Sequence, residues 1–166
     1  PDGLHIATAS ADKTAKVWDP NSKKPLILRG HTAAINGVAF DSNGERLATA
    51  SADKTAKIWD IETGEVQLGL VGHTGAVNAV AFSPDGEWLA TASADGTAKV
   101  WDTASGMTLL TLTDHRDAVN SVAFSQDGTR TATASADRTV KVWDTSTGQV
   151  LLTLTGHSAE ILRVAF

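Results

Sequence analysis

Apolar positions along this chain come in short bursts, each closed by a turn signal. The runs INGVAF (Ile35–Phe40), VNAVAF (Val77–Phe82) and VNSVAF (Val119–Phe124) are each followed by Asn-Gly or Asp-Gly, in DSNGE, SPDGE and SQDGT. Those dipeptides supply the positive-φ positions of a tight hairpin. The chain then continues through LATAS, a turn ADKT, a second run AKIWD, and another glycine-bearing turn (ETGE, ASGM or STGQ). A last apolar run follows: VQLGLV, TLLTLT or VLLTLT. No segment sustains a 3.6-residue period over a useful length, so the pattern predicts strands throughout and no helix.

The pattern repeats. ATASADKTAKVWD (Ala7–Asp19) returns with few edits at Ala48–Asp60, Ala90–Asp102 and Ala132–Asp144. Trp18, Trp59, Trp101 and Trp143 keep a spacing of about 42 residues, as do His31, His73, His115 and His157. More than half of the positions in His31–Gly72 are identical to those in His73–Asp114. Each period holds four short antiparallel strands, and a four-stranded unit of about 40–45 residues is the blade of a β-propeller.

Composition narrows the function. The chain has 166 residues, a net charge of −5 and an isoelectric point near 5.4. That balance argues against attraction to nucleic acid or to an anionic membrane. There is no cysteine, which removes disulfide, thiolate-metal and thiol redox chemistry. No apolar run approaches the ~18–20 residues of a membrane span, and the opening Pro1-Asp2-Gly3 reads as a cut or processed end rather than a signal peptide. A cytoplasmic location is the expectation.

Gly30-His31, Gly72-His73 and Gly156-His157 stand before the first strand of a period. Ser-Ala-Asp sits at the second turn, and Trp-Asp closes the third strand. Across essentially the whole chain this set resembles the WD-repeat propeller family. The resemblance implies an all-β propeller of four-stranded antiparallel blades, four blades' worth in one chain. It also implies a hydrogen-bonded network in each blade, joining the His, a second-strand hydroxyl, the turn Asp and the Trp. Mapped here, the sets are His31, Thr49, Asp53 and Trp59; His73, Thr91, Asp95 and Trp101; His115, Thr133, Asp137 and Trp143. A fourth would join His157 with Thr8, Asp12 and Trp18. The family usually carries Ser where this chain has Thr, and Ser51 with its equivalents is the alternative relay.

A His–Asp–hydroxyl group also suggests hydrolase chemistry. Here it recurs in every repeat beside a Trp, where one active site would need only one copy. Its reading is structural. Phosphate-loop, dinucleotide, nucleophile-elbow and zinc-protease motifs are absent from the sequence, and His5 has no second His at ligand spacing. The expectation is a non-enzyme with no catalytic residue, metal or cofactor.

What remains is binding. The resemblance implies a rigid scaffold for protein–protein interaction, contacted where the first strand begins and at the second turn. The matching positions are Ala34 and Asn36, Ala76 and Asn78, Ala118 and Asn120, with Ala11, Ala52, Ala94 and Ala136 at the turns. Only the last copy is edited there, to Glu160, Leu162 and Arg163. Trp88 takes the place held by His5, Arg46 and Arg130 in the other repeats, and is either a local filler or an exposed contact. A structural fragment or engineered module of a larger array, with no partner of its own, is the alternative. A sugar-binding propeller is weaker, because Trp88 stands alone.

Ring closure follows from where blades divide, within a single propeller unit 1–166. Blades are expected at 31–71, 73–113 and 115–155. Residues 1–29 supply three strands of another, whose first strand is Ile161–Phe166. Closing four blades alone would need ~90° per blade, against ~45° in an eight-bladed ring. The expectation is self-association, as a homodimeric eight-bladed ring in which the Ile161–Phe166 strand fastens onto the other chain; a closed four-blade monomer is the runner-up.

Overall fold

A computed structural model describes residues 3–166; Pro1 and Asp2, assigned above to the first blade, lie outside the described residues. Fifteen strands fall into four antiparallel sheets. The first has three strands, β1 (Ile6–Ala9), β2 (Thr14–Trp18) and β3 (Leu26–Arg29). The second runs β4 (Ile35–Phe40), β5 (Arg46–Ser51), β6 (Thr55–Asp60) and β7 (Val66–Val71). The third is β8 (Val77–Phe82), β9 (Trp88–Ser93), β10 (Ala98–Asp102) and β11 (Thr108–Leu112). The fourth is β12 (Val119–Phe124), β13 (Arg130–Ser135), β14 (Val140–Asp144) and β15 (Val150–Leu154). Within a sheet each strand pairs with its sequence neighbour, because the connections there are short enough only for a hairpin, while the chain passes to the next sheet after β3, β7 and β11.

The sheets pack face to face, and the core is a series of seams rather than one centre. Val17, Leu28, Leu47 and Trp59 fill the first seam; Ile58, Leu70, Leu89 and Trp101 the second; Ala98, Leu112 and Trp143 lie in the third. A strand covered on both faces must bury both sets of side chains. Hence every residue of Leu47–Ser51 is buried, which explains the small, weakly polar LATAS sequence: large residues would not fit on both sides. The outermost strand of the last sheet, β15, is exposed at every position.

One turn position is strained. Lys13, Lys54 and Arg138 hold φ near +72°, and the equivalent Gly96 sits at +83°. Only glycine takes that conformation without a Cβ penalty.

The four sheets do not close into a ring. Ile161–Phe166 forms no strand of its own here. It lies along β12 instead. Ile161 N–H donates to the Ser135 carbonyl at 3.1 Å, as Ile35 N–H donates to Ser10 at 3.0 Å. Val164 N–H reaches Ser121 Oγ at 3.3 Å. The segment therefore occupies the place of a next first strand, with no second strand to pair with it.

Candidate functional site

Each of the last three sheets carries the same four-residue chain of hydrogen bonds. The His comes from the loop before the first strand, the Thr from the middle of the second, the Asp from the turn after it, and the Trp from the third. Strand pairing fixes the register: Leu47 lies opposite Trp59 and Thr49 opposite Lys57, so the indole slants back to the hydroxyl. Trp59 Nε1–H donates to Thr49 Oγ1 at 2.8 Å; His31 Nε2 is 2.7 Å from the same oxygen, and His31 Nδ1 is 2.8 Å from Asp53 Oδ2. The other two sets match to within a tenth of an ångström.

With the imidazole neutral, one proton arrangement satisfies every atom. The carboxylate only accepts, so His31 Nδ1 carries the proton. Nε2 then accepts from the Thr49 hydroxyl, whose oxygen accepts from the indole. The imidazole is neutral, as its surroundings require: burial lowers the affinity of His31, His73 and His115 for a second proton, against the pull of the Asp. At Asp53, burial pushes the carboxyl up. The Thr55 hydroxyl, Thr32 N–H and His31 outweigh it and hold the group below the ordinary carboxylate value. Asp95 and Asp137 are held down in the same way. A catalytic triad commits its imidazole in the same way; what differs here is that Thr49, Thr91 and Thr133 are fully buried, each with its hydroxyl bonded to both indole and imidazole, so the group has no open side for a substrate. Ser51 is not in this chain: its hydroxyl donates to Ala34 O at 3.0 Å and accepts from Asp53 N–H at 3.1 Å, which shapes the turn.

The first sheet keeps only part of the set. Trp18 Nε1 donates to Thr8 Oγ1 at 3.0 Å, and Thr14 Oγ1 donates to Asp12 at 2.6 Å. His157 is exposed and is not brought to them within this chain.

The surface candidates divide. Asn36 Nδ2 donates to Val77 O and Asn78 Nδ2 to Val119 O, both at 2.9 Å, and Asn120 Nδ2 to Ile161 O at 3.1 Å. These amides tie each sheet to the next, a use that strand periodicity gave no hint of. Glu160, Leu162 and Arg163 are exposed, Leu162 by 62 %. Trp88 is half-buried on the wall of a cavity of about 320 Å³ between the third and fourth sheets. Among the described residues no group of His, Asp and Glu is arranged to hold a metal ion, and no helix is long and apolar enough to cross a membrane.

The family model for the WD domain, G-beta repeat, matches residues 1–19, 22–60, 64–102 and 106–144. The chain belongs to the WD-repeat family. These WD repeats are offset from the sheets: each of the last three matches takes in the outer strand of one sheet and ends on the Trp-Asp of the next. The U5 small nuclear ribonucleoprotein 40 kDa proteins of Pongo abelii, Mus musculus and Homo sapiens are 51 % identical to the chain over 41 residues. That stretch is 24 % of this chain and 12 % of each relative's length. It amounts to about one repeat.

Proposed function

We propose that this WD-repeat chain is a non-enzymatic scaffold for protein–protein interaction, and that two copies of residues 1–166 form its working unit as an eight-bladed ring. The match of the two open ends carries the second part. In each internal seam a Trp of one sheet packs toward a Leu of the preceding one: Trp59 with Leu28, Trp101 with Leu70, Trp143 with Leu112. All six are at most 2 % exposed. The next members of the two series are Trp18, 39 % exposed on the first sheet, and Leu154, 48 % exposed on the last. A second copy would bring Leu154 against Trp18, pair Ile161–Phe166 with β1, and insert His157 between Thr8 and Asp12.

Energy supports the pairing. An end face of four strands at ~4.8 Å spacing and ~17–20 Å length covers ~350 Å². At ~25 cal/mol per Å² its burial is worth up to ~9 kcal/mol, comparable to the whole stability of a domain. In this reading the His–Thr–Asp–Trp networks are structural.

Light scattering on the purified chain tests the ring. The expected mass is twice 17.3 kDa, and Leu154→Asp, on a face already open to water, should halve it. A wild-type mass of 17.3 kDa with a cooperative melt overturns the dimer. The same open ends also fit a segment of a longer array, which would show as open-ended higher masses. Affinity capture tests the scaffold: partners retained by wild type and lost on Leu162→Asp support it, and no retained partner at any salt counts against it.

A further inference from the structure

The repeats allow one seam to be compared with another, atom for atom. Where the second sheet meets the third, the chain plugs the gap with its own cation. Arg46 lies over the Phe82 ring at 5.2 Å, donates through Nε to Asp41 at 2.7 Å, and donates through Nη2 to the carbonyl of Gly86 at 2.8 Å. Thr103 Oγ1 donates to the same carbonyl at 2.8 Å. Gly86 O thus has two donors.

Where the third sheet meets the fourth, Trp88 replaces Arg46 and Gly128 replaces Gly86. Both donors are gone. No guanidinium arrives, and Thr145, the counterpart of Thr103, pairs its hydroxyl with Thr131 Oγ1 at 2.9 Å instead. No hydrogen bond to Gly128 O is formed among the described residues. At the equivalent place, around Gly128 and beside Trp88, lies the cavity of about 320 Å³, walled also by Asp85, Asp127 and Asp144. Asp85 stands where the second sheet has neutral Asn43. No Lys or Arg lines the cavity.

We propose that this cavity binds an arginine side chain, entering the seam that lacks its own. The Trp88 indole offers a flat face for a planar cation, Asp85, Asp127 and Asp144 supply negative charge, and the Gly128 carbonyl offers the acceptor that Gly86 gives to Arg46. Serine hydroxyls and backbone N–H groups bonded to Asp85 and Asp127 keep both carboxylates ionised well into acid, Asp127 with its value lowered to about 2. The volume is at the small end of ligand pockets, right for one side chain rather than a whole metabolite. The proposal rests on the scaffold reading for its source of arginine, a partner protein presenting that residue on its surface.

The probe is acetyl-arginine amide, titrated against the full chain at low salt. The readout is the indole N–H resonance of Trp88, assigned by its loss in Trp88→Phe. A saturable shift is expected, weakened about fivefold or more in Asp127→Asn, as losing a charge-assisted contact requires. Trp88→Arg installs what the second and fourth sheets already carry at this position, so it should fold and fill the cavity from within. Calorimetric binding of the probe should then vanish. Acetyl-citrulline amide, neutral and of the same shape, should give no shift. Absence of a saturable shift overturns the proposal, as does an equal response to citrulline or undiminished binding by Trp88→Arg. Partner capture is read separately: captured partners with no probe binding sink the arginine site and leave the scaffold, while probe binding without partners does the reverse.

Discussion

The middle of this molecule and its two ends are built from nearly the same sequence and live in different surroundings. Trp101 and Trp18 close the same motif, yet one is 2 % exposed and the other 39 %. Leu70 is 1 % exposed and Leu154 48 %. A strand in a propeller is therefore not stable or unstable by itself; its residues gain burial only from a neighbouring sheet. The same residue types at an unmatched end stay open to water.

The largest break in that comparison comes from the Trp series. Trp101→Ala should cost about 3–5 kcal/mol in a urea titration, through lost burial and a cavity in the second seam. Trp18→Ala should cost far less in chain diluted to monomer, and should instead weaken assembly in light scattering. Equal losses would mean that the first sheet is already packed against something. The networks give the next effect. Asp95→Ala leaves an imidazole N–H and three further donors unanswered, the Thr74 and Thr97 N–H groups and the Thr97 hydroxyl, and should cost about 1–3 kcal/mol. Asp12→Ala should cost less than that until the ring closes. An unchanged melting temperature for Asp95→Ala would remove the network from the list of what holds the fold.

Acid should act on the middle before the ends. His31, His73 and His115 have folded-state values lowered from the ordinary 6.5, so the unfolded chain takes up protons first as pH falls. Their stabilising contribution is complete above about pH 6.5 and is lost as pH drops below it. The lowered carboxyls of Asp53, Asp95 and Asp137 add a second loss below their ordinary 3.8. Thermal melts from about pH 8 down to pH 3 should show both stages, and a flat profile between pH 7 and pH 5 would contradict the first. The smallest effect is at the strained turn. Gly96→Lys should cost about 0.5–1 kcal/mol, and Lys54→Gly should recover a similar amount. A Cβ at Gly96 would come no closer than 3.6 Å to the Asp117 carbonyl, so this is a backbone effect without a clash.

The strands could be read from the chain because their boundaries are local: Asn-Gly, Asp-Gly and short apolar runs act within a few residues. The Thr49 bridge could be anticipated from the resemblance, whereas spacing alone left Ser51 open, since both point to the same face of β5. The resemblance alone marks Asn36, Asn78 and Asn120 as contact positions, and no local pattern says which sheet their amides meet 41 residues later. Trp88 stands out in the sequence as the odd residue in a series. What its replacement of arginine opens depends on the next sheet's turn, and no local pattern carries that.

Those asparagines have one further consequence, for how such a chain can change its length. Each reaches from one copy to the same position in the following copy: Asn36 to Val77, Asn78 to Val119, Asn120 to Ile161. A stitch defined only by "the next copy" does not depend on how many copies there are. Removing or adding one whole period of DNA in frame would leave every remaining stitch with a correct receiver, whereas a gain of half a period would not. Copy number is thus free to drift in whole steps, as far as these stitches are concerned.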